Sequence, residues 1–329
     1  MNDSFIAADN HKRTDKYKLH EDTVAAIVSM NEILSRYEQY PEPVTDYPLI
    51  FVFGLPRSGT TLAYQILCYS LDIGYINNLS ARFWMAPLHG IRLSLSVIGD
   101  SRDGSFKSDY GRSVEIAGPH EYSYFWQNML HMKSENDVKL FGGGSEQVDW
   151  QVLYRILMAM SACFGKGMAF RTNFAVNFLE DFASRFKKSI FIYIERDMKD
   201  IGISILKARK AYYGDKDTWW ATIPEDYDSL VKLPFFKQIA GQVTSLRKTY
   251  LRQISRIDNE KILKISYSEL VSSPGKFLEY VISKVKMLYG EEVRIINAPP
   301  EKFIFNHVME FRDEDERLVA ETIEKSDIL

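Results

Sequence analysis

The sequence is poor in cysteine and has no apolar run long enough to span a bilayer. Only Cys68 and Cys163 occur among 329 residues, both within apolar stretches typical of helices. We interpret them as reduced core residues, which favours a cytoplasmic protein over a disulfide-rich secreted one. A spanning helix needs about 20 consecutive apolar residues, so we expect no transmembrane segment. The polar N-terminus also lacks the apolar centre of a secretory signal.

The sequence also has no large net charge and no histidines at the spacing of metal ligands. The net charge is −3, so no overall positive field favours nucleic acid or an anionic membrane. His11, His20, His131 and His307 show no spacing typical of metal ligands, and we expect no metal site. The 46% hydrophobic content suffices for a large core. We predict a mobile N-terminal segment over residues 1–20 and a single domain over 21–329.

Helical patterns alternate with short apolar runs that suit buried strands, at 49–53, 168–171, 189–195 and 261–267. This alternation predicts βαβ crossovers and an α/β fold with a mostly parallel sheet flanked by helices. Residues 99–119 are rich in Gly, Ser, Asp and Arg, which predicts a long loop of the kind that contacts substrates. We interpret the charged tail, 312–325, and the basic face around Arg209 as solvated helix surfaces.

The most informative motif follows the first predicted strand. Gly54 and Gly59 have the G-x-x-x-x-G spacing of a phosphate-binding loop, and two hydroxyl residues, Thr60 and Thr61, come next. Backbone N–H groups of such a loop and of the following helix can hold an anion. Thr60 occupies the position where nucleotide triphosphatases place lysine, and the only strong cation is Arg57. The loop therefore indicates phosphate binding without Mg-ATP chemistry.

A second anion site is predicted at the tip of the strand that ends at Glu195. Arg196 follows this strand, and Ser204 lies about two turns into the next helix. Ligands of parallel sheets bind at the carboxyl ends of the strands. An arginine and a hydroxyl there can hold a second anion, so we expect a ligand with phosphates at two places. The alternative is that Arg196 forms an ion pair with Asp197 or Asp200.

These two motifs resemble the sulfotransferases that use 3′-phosphoadenosine 5′-phosphosulfate (PAPS). The resemblance covers roughly residues 48–290 and includes Phe-Arg-Thr-Asn at 170–173 and Ile-Ser-Tyr-Ser-Glu-Leu at 265–270. It implies a P-loop NTPase-like fold, PAPS as donor, the bisphosphate product PAP and no required metal. The sequence is most similar to bacterial members with saccharide acceptors, which implies a hydroxyl-bearing small molecule, saccharide or glycolipid as partner.

The resemblance also implies roles for individual residues. The 5′-phosphosulfate would be bound by the loop residues Arg57, Ser58, Gly59, Thr60 and Thr61, with Arg57 also catalytic. The 3′-phosphate would be bound by Arg196 and Ser204. These assignments agree with the anion chemistry expected of the two strand tips.

The general base is not assigned by the resemblance, because the glutamate that some relatives carry after the loop is replaced here by Tyr-Ile-Asn-Asn at 75–78. The best candidates are His120 and Glu121, which follow the long loop. His120 could instead be a hydrogen-bonded loop histidine, and Glu121 a structural partner of Arg112 or Arg82. His89 is a lesser candidate.

Two other functions fit parts of the sequence. A P-loop kinase or NTPase would use Glu195, at the end of an apolar strand, as its Mg-coordinating carboxylate. A non-catalytic relative would bind the nucleotide and transfer nothing. The missing loop lysine argues against the first, and we expect an acceptor site built from residues 80–130 and the loops after 214.

Overall fold

The computed structural model describes residues 10–132 and 145–327 and contains a four-stranded parallel sheet. Its strands are β1 (Leu49–Gly54), β4 (Met168–Arg171), β5 (Ser189–Glu195) and β6 (Ile262–Ser266), in the order β4-β1-β5-β6. A two-stranded antiparallel hairpin joins β2 (Ser108–Asp109) to β3 (Arg112–Ser113) within the predicted loop 99–119. The predicted α/β class and parallel sheet are confirmed.

Twelve α-helices connect and cover the strands within the described residues. They are α1 (Glu21–Ser35), α2 (Thr60–Ser70), α3 (Pro87–Ile98), α4 (Ser123–Met129), α5 (Trp150–Phe164), α6 (Leu179–Arg185), α7 (Met198–Tyr213), α8 (Tyr227–Leu230), α9 (Phe235–Ile254), α10 (Tyr267–Ser272), α11 (Pro274–Tyr289) and α12 (Glu314–Asp327). None of these helices combines the length and apolar character needed to cross a membrane.

The central strand β1 is buried along its whole length because helices cover both faces of the sheet. Phe51 and Phe53 point into a core built with helices α4 to α7, α9 and α12. Ile50 and Val52 point into a second core built with α2, α10 and α11. Alternate side chains along a strand face opposite sides, so this one apolar run contributes to both cores.

The C-terminal helix α12 corrects the expectation of a solvated tail. Val319, Ala320 and Ile323 are fully or almost fully buried, and α12 packs on α7 and α9. The close approach requires Gly202 on α7, where an added Cβ would lie 2.4 Å from Ile323 Cδ1. The acidic residues that suggested a solvated helix lie mainly outside this buried stripe, as in other amphipathic surface helices.

The basic face around Arg209 is also different from the expectation. Arg209 is completely buried, where it donates to Gln238 Oε1 at 2.8 Å and lies 5.1 Å from the Trp219 ring. A buried guanidinium needs hydrogen-bond acceptors, and the amide side chains of α9 supply them. The predicted solvated face is therefore wrong at this position.

The N-terminal segment that we predicted to be mobile is described from residue 10 onward, and residues 1–9 lie outside the described part. Tyr17 is buried and stacks on Tyr212 with ring centroids 3.9 Å apart. The Thr14 amide donates to Tyr212 O at 2.7 Å. These contacts attach the segment to the end of α7, and the boundary at residue 20 stays a prediction.

Candidate functional site

The predicted phosphate-binding loop connects β1, which ends at Gly54, to α2, which begins at Thr60. Within the turn, the Ser58 amide donates to Leu55 O at 3.0 Å. Helical hydrogen bonding begins with the Ala63 amide, which donates to Gly59 O at 3.1 Å. The amides of Thr60, Thr61 and Leu62 precede it and have no partner within the helix. Together with the helix dipole, these amides make the start of α2 suited to an anion.

Gly59 is required by the backbone and by its neighbour. Its φ of +107° is a conformation that residues with a Cβ rarely adopt. A Cβ added there would lie 2.5 Å from Cδ2 of Tyr267. The Tyr267 ring also lies 4.3 Å from the Arg196 guanidinium. One aromatic ring thus contacts both predicted anion-binding motifs.

Arg196 lies directly against the phosphate-binding loop. Its guanidinium donates to the backbone carbonyl of Arg57 at 3.1 Å, and its Nε lies 3.6 Å from Asp200 Oδ2. A further hydrogen bond goes to the Asn306 carbonyl. The ion pair with Asp200 that we considered as an alternative is present, and Arg196 nevertheless lines the same cleft as the loop.

Arg57 connects the loop to the second motif through its side chain. Its Nε donates to Ser204 Oγ at 2.9 Å, and its guanidinium lies 5.3 Å from the Tyr110 ring. Burial and, next, the nearby charge of Arg196 lower the pKa of Arg57. Two close guanidinium groups repel each other, so an anion between them would relieve the repulsion.

Arg171 is a site residue that our sequence reasoning did not assign. It lies at the end of β4, beside β1, and is 8% exposed. Its guanidinium donates to Thr61 Oγ1, to Gly111 O at 2.9 Å and to Glu121 Oε2 at 2.8 Å. It therefore connects the phosphate-binding loop, the β2-β3 hairpin and a candidate base. The sequence does show an arginine at the end of a predicted strand. It does not show that this strand lies beside β1, which places Arg171 at the loop.

His120 and Glu121 both line the cleft, but their side chains have different hydrogen-bond partners. His120 Nδ1 accepts from the Tyr122 amide at 2.8 Å, so the proton of the neutral ring is on Nε2. Burial, together with the positive charges of Arg171, Arg82 and Arg112, lowers the pKa of His120 to about 3. Glu121 pairs with Arg171 rather than with Arg112 or Arg82.

The lesser candidate, His89, lies in the first turn of α3 and contacts Glu38. Glu38 Oε1 accepts from the His89 amide at 2.9 Å and contacts its ring nitrogen, and the second Glu38 oxygen accepts from the Leu88 amide at 3.2 Å. Glu38 thereby satisfies helix N-terminal donors, which is a structural arrangement. Among the described residues, no three His, Cys, Asp or Glu side chains lie close enough to hold a metal ion.

The predicted site residues line one cleft of about 1920 Å³, with Ser58 as the exception. Ser58 is buried beneath the loop, and its Oγ has no hydrogen-bond partner among the described residues. Three acidic side chains line the cleft, those of Glu121, Asp200 and Asp217. Ten basic side chains also line it, namely Lys12, Arg13, Arg57, Arg82, Arg112, Arg171, Arg196, Lys207, Lys302 and Arg312. A cleft this positive in a net-negative chain attracts polyanionic ligands.

Comparisons with known proteins identify similar sequences and folds. A family model described as "Sulfotransferase family" matches residues 48–288. Sulfotransferase STF9 from Mycobacterium avium is 15% identical, with a TM-score of 0.48 over 80% of this chain and 68% of that one. Sulfotransferase STF1 from Mycobacterium tuberculosis H37Rv is 12% identical, with a TM-score of 0.47 over 92% of this chain and 79% of that one.

A third similar structure is the sulfotransferase domain from the curacin biosynthetic pathway. It is 13% identical, with a TM-score of 0.41 over 78% of this chain and 76% of that one. No curated protein matches the sequence significantly.

Replacing Gly59 with alanine should destabilise the protein more than replacing Gly165. Gly165 also has a positive φ, +66°, but an added Cβ there meets nothing within 4 Å. Gly165→Ala should therefore lower the free energy of unfolding only by the cost of the left-handed conformation, about 1–2 kcal/mol. Gly59→Ala adds overpacking against Tyr267, about 1–3 kcal/mol more. Denaturant unfolding of both variants measures the difference, and equal losses would contradict the contact.

His120 should make stability depend on pH. The unfolded chain protonates this histidine near its ordinary pKa of 6.5, and the folded chain only near 3. Between these values the unfolded state binds more protons, so acidification lowers the free energy of unfolding. From pH 6 to pH 4 the wild type should lose about 1 kcal/mol per pH unit more than His120→Asn. Denaturant titrations at several pH values measure this loss; the exposed His20→Asn is the control and should follow the wild type.

Proposed function

The chain belongs to the sulfotransferase family, and on that premise we propose that it transfers the sulfuryl group of PAPS to an acceptor hydroxyl on a saccharide or glycolipid. The observation that carries the proposal is the hydrogen bond from Arg196 to the Arg57 carbonyl, at 3.1 Å. This contact joins the two anion-binding motifs in one cleft. A doubly phosphorylated adenosine requires this pair of sites.

The donor would be held by the two motifs in different ways. The amides at the start of α2 and the hydroxyls of Thr60 and Thr61 suit the 5′-phosphosulfate. Arg196 and Ser204 suit the 3′-phosphate, and Arg57 extends from the loop to Ser204. The leaving group is a phosphate that is already a stable anion, so these cations and amides can stabilise it.

Transfer is an in-line displacement at sulfur. The acceptor oxygen forms a bond to sulfur while the bond from sulfur to the bridging phosphate oxygen breaks, and PAP leaves with that electron pair. The acceptor hydroxyl gives its proton to Glu121, which Arg171 holds in position. His120 carries its proton on Nε2 and is not free to accept a proton at Nδ1, because Nδ1 accepts from the Tyr122 amide. We therefore assign the base to Glu121.

The kinase or NTPase alternative is less well supported. Glu195, its proposed magnesium ligand, lines a second cavity of about 310 Å³ and not the main cleft, which Arg57, Gly59 and Thr60 of the loop line. Thr60 also occupies the position of the lysine that contacts ATP phosphates. The cytoplasmic location stays a prediction from the sequence.

Adenosine 3′,5′-bisphosphate should bind the wild type in a calorimetric titration. Arg196→Ala should weaken binding about 10- to 100-fold, because a hydrogen bond to a charged group is lost. Ser204→Ala should weaken it about 3- to 10-fold through loss of a neutral hydroxyl. Arg256→Ala is a matched control at an exposed position that does not line the cleft. Absent binding, or unchanged binding in Arg196→Ala, would count against the proposal, and stronger binding of Mg-ATP would favour the kinase alternative.

Glu121→Gln should lower turnover of an acceptor found in a saccharide screen by about 10²- to 10⁴-fold, because the proton acceptor is removed. Bisphosphate binding should be unchanged in this variant. His120→Asn should have a smaller effect, and Arg57→Ala should lose about 10²- to 10³-fold in turnover, as for a donor in an oxyanion hole. Transfer is measured as labelled sulfate in the acceptor. Full activity of Glu121→Gln would show that another residue takes the proton, and bisphosphate binding without transfer to any acceptor would indicate a non-catalytic relative.

A further inference from the structure

The cleft holds more positive charge than the donor requires. PAPS carries about four negative charges near neutral pH, because its 3′-phosphate monoester contributes about −1.5 to −2 and the phosphate and the sulfate of its anhydride contribute about −1 each. Ten basic side chains line the cleft and only three acidic ones. The ion pairs Glu121–Arg171, Asp200–Arg196 and Glu316–Lys207 neutralise part of this positive charge, and the other basic side chains exceed what the donor needs. A second anionic group therefore fits the remaining charge.

Two of these basic residues, Arg82 and Arg112, are brought together around His120 by a hydrogen-bonded frame. The segments before Arg82 and after Arg112 pair edge to edge, with a bridge between Asn77 and Pro119. The Asn78 side chain donates to Ser113 O at 3.1 Å and to Glu115 O at 2.7 Å, and the His120 amide donates to Ile76 O at 2.8 Å. This frame holds the segments that carry the two arginines next to His120 and Glu121, and both arginines line the cleft with them.

Neither arginine has a carboxylate partner among the described residues. Asp109 faces Arg112 across the hairpin, but its carboxylate is bonded to Lys16 at 2.7 Å and to the Tyr17 hydroxyl at 3.0 Å. The Arg112 guanidinium instead lies 5.5 Å from the Tyr212 ring. A guanidinium placed against an aromatic face keeps its donor edges available for a bidentate anion.

The charges of Arg82 and Arg112 act on the space beside the base. Together with Arg171 and burial they lower the pKa of His120. The hairpin that carries Arg112 is held to the phosphate-binding loop through Arg171, which donates to Gly111 O at 2.9 Å. A molecule that reaches Glu121 therefore enters the field of both arginines.

We propose that Arg82 and Arg112 bind an anionic group of the acceptor, so that the acceptor is an acidic hydroxyl-bearing molecule, with a carboxylate, phosphate ester or sulfate ester near the hydroxyl that is modified. This inference rests on the proposed function. The half-buried rings of Tyr124 and Trp220 line the same cleft and add flat surfaces for a sugar ring.

The test is a calorimetric titration of bisphosphate-loaded protein with matched pairs of neutral and acidic sugars. The pairs are methyl glucoside with methyl glucuronide and methyl galactoside with methyl galacturonide. The 6-phosphates and 6-sulfates of the two glycosides distinguish the anionic groups. At least one acidic member should bind about 10-fold or more tightly than its neutral partner, as expected for a charged hydrogen-bonded contact.

Arg82→Gln and Arg112→Gln should each remove most of this preference while leaving bisphosphate affinity unchanged. Arg112→Lys keeps the positive charge but loses the planar guanidinium that binds an anion through two parallel hydrogen bonds. It should therefore keep part of the preference for the acidic sugar. It also covers the case that Arg112→Gln fails to fold, which thermal melting detects. Arg256→Gln removes the same charge from an exposed position outside the cleft and should behave as the wild type.

The outcomes separate the two proposals. Failure of the wild type to bind bisphosphate overturns the proposed function and the inference that rests on it. If bisphosphate binds but no acidic sugar binds more tightly than its neutral partner, the inference alone is wrong. It is also wrong if the glutamine variants weaken bisphosphate binding instead of the acidic preference, because the arginines would then serve the donor.

Discussion

The site depends on the contact between two neighbouring strand tips. β1 and β5 are hydrogen-bonded along the sheet, with Gly54 opposite Ile194, so the residues that follow each strand lie side by side. Arg196 uses this adjacency to donate to the Arg57 carbonyl, and Tyr267 packs against Gly59 and Arg196 together. Without a parallel pair in this register, the loop and the second motif would be separate surface features.

The cleft concentrates positive charge in a chain whose net charge is −3. Partial burial and this concentration of charge together lower the pKa of Arg57, which lies close to Arg196, and of His120, which lies close to three arginines. Folding brings these like charges together at a cost, and binding of a polyanion offsets it. This positive field supports the two proposals that we make, a doubly phosphorylated donor and an acidic acceptor.

Several residues were misjudged because polarity was taken as a sign of exposure. Arg209 is buried between α7 and α9 because Gln238 and Gln242 offer acceptors that lie far away in the sequence. The helix α12 has a stripe of buried residues that its many acidic side chains concealed. In both cases the deciding partner belongs to another element, and a local pattern does not contain it.

The α/β class, the glycine-rich turn from β1 into α2 and the positions of Arg57 and Arg196 could be predicted from the sequence, because strand length, glycine spacing and helix starts are local properties of the chain. Three features required the folded structure: the pairing of Arg171 with Glu121, the proton on Nε2 of the neutral His120 ring, and the presence of Arg82 and Arg112 in the same cleft as Glu121. These follow from the strand order β4-β1-β5-β6 and from loop contacts. Arg171 lies 50 positions from Glu121 and 110 from Thr61, and no spacing along the chain encodes these pairings.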